Sequence, residues 1–292
     1  MSLAIASPLP RLRRARPGLG TLVEIGVDAD DAARAQRGIA AAFAEIAAVH
    51  RLMSFHERDS DLARLNRARP GELVAVDRRT AAVLRAAEAF RIESDGAFNA
   101  GVATALIRIG ALPPIGASEA PLARDDGAPT PSSARVAVRR GDLPLDLGGI
   151  AKGYAVDRAI AVLRAHGVEG ALVDAGGDLR HFGNRAATIG LRDPADPVRL
   201  LASIDLRDAA LASSATSSLD GRRPTSLPSA LLDGRSRRSL APDAGASVMA
   251  PSCMTADALT KIILATDDRE HPMLGRHGAT LVLHRPPERV AA

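Results

Sequence analysis

LDLGGIAKGYAVDRA, at residues 145–159, is the most strongly patterned segment of this chain. An apolar strand end leads into the glycine pair Gly148-Gly149, and a helix is expected to start just beyond it. A glycine turn lets backbone N–H groups approach an anion, and the dipole of a helix N-terminus favours negative charge there. Lys152 would then face a phosphate group. The spacing is neither that of a Walker loop nor G-x-G-x-x-G, so the segment predicts a phosphate or nucleotide site, with a tight structural turn and a solvated Lys152 as the alternative.

Lysine is scarce in this chain and occurs where the patterning is strongest. Of the 38 lysine and arginine residues, only Lys152 and Lys261 are lysine. Lysine is a compact point charge on a flexible stem whose pKa burial can shift, so it is not interchangeable with arginine. The two lysine-bearing segments are therefore the candidate site, and chance in an arginine-biased chain is the alternative.

The second lysine lies in MTADALTKIILA, residues 254–265, which is expected to be helical. Thr260 and Lys261 follow Asp257 by three and four residues, so the three side chains can share one helix face. Aspartate and threonine oxygens suit a hard cation such as magnesium. A lysine on that face would compete with the metal or replace its charge. The alternative is a helix cap combined with an Asp–Lys pair at i,i+4.

Two other segments carry residue types found in ligand sites. The stretch DAGGD at 174–178 follows an apolar strand, and its glycines permit close backbone approach to a ligand. Asp178 could hold a ribose hydroxyl or orient a donor, and a plain β-turn is the alternative. Residues 53–66 follow a long helix and contain Ser60, which is predicted to cap a short helix.

The composition limits the classes of protein to which this chain can belong. The chain has 292 residues, enough for one large domain or two small ones, with a net charge of +4 and 2% aromatic residues. Interspersed charges without a basic helical face give little support to nucleic-acid binding. The single cysteine, Cys253, excludes an internal disulfide and a cysteine-based zinc site.

The N-terminus and the apolar runs give an expectation about location. Residues 1–17 contain four arginines among prolines and are predicted to be a disordered arm. Their apolar patch precedes the arginines, the reverse of a secretory signal, and no cysteine follows for lipid attachment. No apolar run approaches the roughly 20 residues of a transmembrane segment. A cytoplasmic location is expected from the sequence as written.

Strand-like and helix-like stretches follow each other without regular βαβ alternation or an internal repeat, which indicates an α+β fold with mixed sheets and packed helices. The helices are predicted at 32–53, 77–93, 154–166 and 255–266, and the strands at 21–27, 136–138, 171–173, 188–191 and 279–284. Residues 111–133 and 217–245 are rich in Pro, Ser, Gly and Arg and are predicted to be loops.

Taken in order, eight segments resemble the ApbE family of FAD:protein FMN transferases over about residues 18–284. They are GLGTLVEI (18–25), MSFHERDSDLARLN (53–66), DGAFNAGVATAL (95–106), LDLGGIAKGYAVDRA, ALVDAGGDLR (171–180), IGLRDP (189–194), ALASSATSS (210–218) and MTADALTK (254–261). The resemblance implies an α+β flavin transferase fold with a cleft between two lobes, and a single FAD-binding domain over residues 18–292. It also makes the periplasmic face the alternative location.

The resemblance implies a reaction as well. FAD would be the substrate, and a Ser or Thr hydroxyl of a partner flavoprotein would attack its FMN-side phosphorus, releasing AMP. A magnesium ion would bridge the FAD pyrophosphate, held by the backbone carbonyl of Ala151 and by the side chains of Asp257 and Thr260. Asp257, Lys152 and Lys261 are the implied catalytic residues. The implied cofactor-binding residues are Met53, Ser54, Asn66, Gly148, Gly149, Lys152, Gly153, Gly176, Gly177 and Asp178.

Four positions depart from the family pattern, and one of them is Gly234, which stands where the family has a proline. Lys261 stands where a hydroxyl residue is usual, so its ammonium could take the place of the cation. Ala230 stands at the family's histidine in the segment ALLDGRS, and Asn99 replaces an aspartate. Two alternatives to the transferase therefore stay open: an FAD pyrophosphatase that gives FMN and AMP, and a flavin-binding protein without catalysis.

Overall fold

The computed structural model describes residues 12–115, 130–131, 135–138, 143–196, 198–216 and 228–286. The helices in these ranges are α1 (Ala32–Met53), α2 (Asp61–Arg67), α3 (Arg78–Glu93), α4 (Ala103–Arg108), α5 (Ala151–Ala165), α6 (Cys253–Thr266) and α7 (Pro272–Arg276). The strands are β1 (Leu12–Gly18), β2 (Thr21–Asp28), β3 (Leu73–Ala75), β4 (Thr130–Pro131), β5 (Val136–Val138), β6 (Gly170–Ala175), β7 (Asp178–Phe182), β8 (Ala187–Arg192), β9 (Leu200–Leu206), β10 (Ala210–Ala215), β11 (Gly245–Ala250) and β12 (Thr280–Arg285).

A seven-stranded sheet in the order β1-β2-β6-β7-β10-β11-β12 forms the centre of the fold. Every neighbouring pair in it is antiparallel. Helix α5 packs on β6 and β7, helix α6 packs on β10 and β11, and the two helices contact each other. The predicted α+β class is confirmed, and the pairing of α5 with α6 brings the two lysine-bearing segments together.

Two apolar clusters hold the helices in place. One joins α1 and α5 to β2 and β6 and includes Ile39, Ile160 and Val173. The other surrounds the residues before α5, with Leu147 and Ile150 packed among side chains of α3 and α6. Full burial of a leucine or isoleucine contributes about 1.5–3 kcal/mol, so the glycine turn at 148–149 is anchored by its apolar neighbours.

Local capping explains why several predicted helices are correct. The Asp31 side chain accepts hydrogen bonds from the N–H groups of Ala33 and Arg34, and α1 then runs over the predicted 32–53. Asp77 and Ser60 cap α3 and α2 in the same way. The helices predicted at 154–166 and 255–266 are present but start earlier than expected, by three and two residues respectively.

The predicted disordered arm requires a correction. Leu12–Gly18 forms β1 and pairs with β2 along its whole length, so only residues 1–11 of the arm lie outside the described residues. Arginine side chains on an edge strand stay in solvent, and the paired backbone needs no apolar alternation to form the ladder. Arg13 makes an ion pair with Glu24 on β2.

The loop predictions hold only in part. Of 111–133, residues 116–129 and 132–134 lie outside the described residues, and Thr130–Pro131 pairs with β5. Of 217–245, residues 217–227 lie outside them, residues 228–244 form turns around a bridge between Leu232 and Ser239, and Gly245 already begins β11. Within the described ranges, no helix combines the length and apolar character needed to cross a membrane.

Gly153 marks the closest approach of α5 to α6. A Cβ atom at this position would lie 2.4 Å from the carbonyl oxygen of Cys253 and 2.8 Å from the Cα of Met254. Both are backbone atoms and cannot rotate away. The absence of a side chain at Gly153 is therefore a packing requirement of the helix pair.

We expect Gly153→Ala to lower the free energy of unfolding by about 2–3 kcal/mol, because overpacking against backbone outweighs the helix propensity of alanine. Gly275→Ala is the matched control, since this helical glycine has no atom within 4 Å of an added Cβ, and we expect no loss there. Urea denaturation of both variants measures the difference. Equal stabilities would contradict the role assigned to the close approach.

Candidate active site

A cavity of about 430 Å³ opens beside the glycine turn. Seven predicted site residues line it: Met53, Ser54, Gly148, Gly149, Ala151, Lys152 and Lys261. The rest of the wall is largely apolar and includes Val49, Phe55, Phe98 and Leu112. The volume is within the range of small-molecule sites, which combine apolar walls with a few polar groups.

The other predicted site residues do not line this cavity in the part of the chain that the structure describes. They are Asn66, Gly153, Gly176, Gly177, Asp178, Asp257 and Thr260. Asp178, Asp257 and Thr260 are fully buried next to the two lysines. The Asn66 amide exchanges two hydrogen bonds with the backbone of Leu145, at 2.8 and 3.0 Å, and so holds the segment that precedes the glycine turn. This segment is not the predicted strand end, because residues 144–147 form no strand.

Each of the helices α5 and α6 is capped by an aspartate of the other. Helix α5 has no capping side chain of its own at its N-terminus. The Asp257 Oδ2 atom, from α6, accepts a hydrogen bond of 3.1 Å from the N–H of Gly153. Asp157, from α5, accepts hydrogen bonds of 2.9 Å from the first two N–H groups of α6, those of Cys253 and Met254. The exchange fixes the two helix N-termini against each other.

Two lysine–aspartate ion pairs are found at the cavity wall. Lys152 forms an ion pair with Asp178, which begins β7, and Lys261 forms one with Asp257 in the i,i+4 arrangement. Burial disfavours the charged form of Lys152, but attraction to Asp178 and Asp257 outweighs it and raises the pKa of Lys152 above its ordinary value. Burial, followed by repulsion from Asp257, raises the pKa of Asp178. Lys152 therefore keeps its charge.

Lys261 is also tied to β10. Its Nζ donates a hydrogen bond of 2.9 Å to the Ser214 Oγ atom. The Ser214 hydroxyl lies 2.8 Å from the Thr260 hydroxyl, which donates to the Asp257 carbonyl at 2.7 Å. Ser214 is a contact that the sequence did not single out, although two adjacent serines within the buried strand ALASSA are an unusual pattern that could have indicated it.

Residues 19–281 match the sequence profile of the ApbE family. The chain belongs to the ApbE family. It is 32% identical over 208 residues to the FAD:protein FMN transferase of Treponema pallidum (strain Nichols). The aligned region covers 62% of this chain and 58% of that protein. It is 30% identical over 175 residues to the enzyme of the same name from Klebsiella pneumoniae (strain 342), which is 56% of this chain and 55% of that protein. The chain thus spans between half and three fifths of these relatives.

Solved ApbE structures have the same fold. The ApbE protein from Thermotoga maritima MSB8 superposes with a TM-score of 0.74 at 25% identity, covering 95% of this chain and 97% of that one. The flavinyl transferase ApbE of Pseudomonas stutzeri gives a TM-score of 0.74 at 22% identity, covering 97% and 92%. The predicted ApbE-like fold is confirmed by these superpositions.

The metal site implied by ApbE membership does not fit the arrangement of the side chains. Magnesium requires near-octahedral oxygen ligands at about 2.1 Å. One carboxylate oxygen of Asp257 accepts from Lys261, the other accepts from Gly153, and the buried Thr260 hydroxyl is engaged by Asp257 and Ser214. Two unit charges of one sign at 4 Å repel by about 4 kcal/mol at an effective dielectric constant of 20, and a divalent ion doubles that. Among the described residues no cluster of three or more His, Cys, Asp or Glu could hold a metal.

The departures of this chain from the ApbE pattern cluster at the cavity. Ala230, at the position of the family's histidine, lines the wall together with Asn99. The Asn99 amide oxygen accepts a hydrogen bond of 2.8 Å from the Gly101 N–H, so its side chain stabilises the local turn. The imidazoles of His50 and His56 line the same cavity, which the sequence did not predict because neither has metal-ligand spacing.

The DAGGD turn contains a carboxyl group with a perturbed pKa. The Asp174 Oδ1 atom accepts a hydrogen bond of 2.9 Å from the Gly177 N–H, and Gly176 and Gly177 both have positive φ. Burial raises the pKa of Asp174 to about 6, with repulsion from Asp178 and Glu24 adding to it.

We expect Asp174→Asn to stabilise the protein at pH 8 by on the order of 2–3 kcal/mol, and to make little difference at pH 4. The folded state binds the Asp174 proton more tightly than the unfolded chain, so the wild type loses stability as the pH rises from about 4 to 6, and the neutral amide does not. Urea denaturation across this pH range measures the effect. A stability difference independent of pH would contradict the raised pKa.

Proposed function

We propose that this protein is an FAD:protein FMN transferase, which moves FMN from FAD onto a Ser or Thr hydroxyl of a partner flavoprotein and releases AMP. The observation that carries the proposal is that Lys152 and Lys261 both line the cavity beside the glycine turn. ApbE membership and the names of the two relatives support it. FAD and its acceptor are the partners of this proposal, and the cytoplasmic location stays a prediction.

The FAD pyrophosphate is assigned to the glycine turn. Gly148 and Gly149 line the cavity without side chains, and Ala151 and Lys152, the first two residues of α5, line the same space. Lys152 stays protonated and supplies positive charge to the phosphate oxygens. The apolar remainder of the wall suits a flat ring system.

The chemical step is a substitution at phosphorus. The acceptor oxygen forms a bond to the FMN-side phosphorus, the bond from that phosphorus to the bridging oxygen breaks, and AMP leaves with the bridging oxygen. Positive charge at the phosphates stabilises the transition state. Magnesium supplies such charge when it is bound, but Asp257 and Thr260 are not assigned to it here because their oxygens are engaged by Lys261, Gly153 and Ser214.

Asp146 is assigned as the group that accepts the proton of the attacking hydroxyl. It lines the cavity next to Gly148, and its Oδ2 atom accepts a hydrogen bond of 3.0 Å from the Gly148 N–H. Burial raises the pKa of Asp146, which makes it a stronger base than an exposed carboxylate. Ala230 cannot perform this role, because it has no titratable group.

Incubation of the protein with FAD and candidate flavoproteins of the same genome tests the proposal. We expect AMP, measured by chromatography, and covalent flavin, measured by in-gel fluorescence, in equal amounts. Changing the modified Ser or Thr of the acceptor to Ala or Val should abolish both. AMP and free FMN without an acceptor would indicate a pyrophosphatase, and retained FAD without AMP would indicate a binding protein. Failure to bind FAD would overturn the proposal.

We expect Asp146→Asn to slow AMP release by about 100-fold or more while FAD affinity changes little, because general base catalysis contributes about 10²–10⁴-fold. The amide oxygen can still accept from the Gly148 N–H, so the turn is kept. Asp59→Asn, at an exposed position, is the control. A loss of FAD affinity equal to the loss of rate would show a structural role instead.

A further inference from the structure

The Lys261 ammonium contacts two oxygen atoms, and one of them belongs to Asp257, a residue to which the family resemblance assigns a metal ion. Its Nζ contacts the Asp257 Oδ1 atom and donates to the Ser214 Oγ atom at 2.9 Å. The Asp257 side chain is fully buried, and Lys261 keeps 13% of its side chain exposed. The ammonium therefore sits between a buried carboxylate and the cavity that it lines.

Within the described residues, the Lys261 ammonium has one N–H donor without a partner. A lysine ammonium carries three N–H donors. Two of them are accounted for by Asp257 and Ser214 in the described part of the chain. Because Lys261 lines the cavity, the third can reach an oxygen atom bound there.

The stem of Lys261 runs along the glycine turn. A Cβ atom added to Gly149 would lie 3.7 Å from the Cγ and 3.8 Å from the Cε of Lys261. The glycine turn assigned to the pyrophosphate and the Lys261 side chain are thus parts of one wall. Lys152, which begins α5 with Ala151, lines the same cavity.

We propose that the Lys261 ammonium is a built-in cation that takes the place of a divalent metal ion, so that this protein binds a nucleotide pyrophosphate without a metal. This inference rests on the proposed function, in which FAD occupies the cavity. Asp257 then positions Lys261 and caps α5, and is not a metal ligand. Ser214 is the second hydrogen-bond partner of the ammonium, and its hydroxyl is in turn held by that of Thr260.

Calorimetric titration of the full chain with FAD, in excess EDTA and in excess magnesium chloride, tests the inference. We expect wild-type dissociation constants that agree within about twofold, a difference of under 0.5 kcal/mol. Tight binding that requires magnesium would overturn the inference and leave the proposed function standing. Absence of FAD binding in both buffers would overturn the proposed function, and the inference with it.

Lys261→Met removes the charge and keeps much of the stem. We expect its affinity for FAD in EDTA to fall by about 10- to 100-fold, the loss of a charge-assisted hydrogen bond. The double variant Lys261→Met/Asp257→Asn removes the unpaired buried carboxylate while the amide oxygen can still accept from Gly153, and we expect it to fold and to show the same loss. Arg37→Met, which removes an exposed positive charge from α1, is the matched control and should bind as the wild type does.

Lys261→Thr restores the hydroxyl that is usual at this position of the ApbE family. We expect FAD binding by this variant to become dependent on magnesium, because the Asp257 Oδ1 atom is released from its lysine. Wild-type affinity in EDTA for Lys261→Thr or for the folded double variant would overturn the inference.

Discussion

The reciprocal capping of α5 and α6 is the interaction on which the rest of the site depends. The first N–H groups of a helix lack partners within that helix, and each capping bond contributes about 1 kcal/mol. Here Asp157 caps α6 and Asp257 caps α5, and the missing side chain of Gly153 lets the two N-termini touch. Each helix carries one lysine, so fixing the helices also fixes the distance between two positive charges at the cavity.

The contact between α5 and α6 explains how two ion pairs are stable in the protein interior. Removing a charge from water costs several kcal/mol per ion. The attraction between the two ions offsets this cost only where the geometry of the pair is good. Lys152 and Lys261 each meet a buried aspartate and still reach the cavity wall. The carboxylates hold both ammonium groups in place, and attraction to Asp178 and Asp257 raises the pKa of Lys152. In a protein with only two lysines, both are used in this way.

Much of the fold could be predicted where local interactions are strong. Helix α1 has the predicted bounds because Asp31 caps it and its apolar residues recur at helical spacing. Strands β10 and β11, with the sequences ALASSA and GASVMA, were not predicted as strands because they have few β-branched residues and no alternation. They are buried, and pairing with their neighbours stabilises them. Strand β1 was missed for a similar reason. It pairs with β2 through backbone hydrogen bonds, which its arginine-rich sequence does not indicate.

The glycine turn, a helix beyond it, and the placing of Asp257 and Lys261 on one helix face could all be predicted, because these depend on residues within a few positions of each other. The helix was predicted to begin at Tyr154 and begins at Ala151. The contacts of these groups with residues far away in the sequence depend on the tertiary packing. Ser214 reaches Lys261 across 47 positions, and Asp257 reaches the Gly153 N–H across 104. Such contacts arise only when the sheet and the helices pack. The i,i+4 pair of Asp257 with Lys261 was an alternative that the sequence left open, and only the packing of the two helices showed that Asp257 also caps α5, because Gly153 belongs to the other helix.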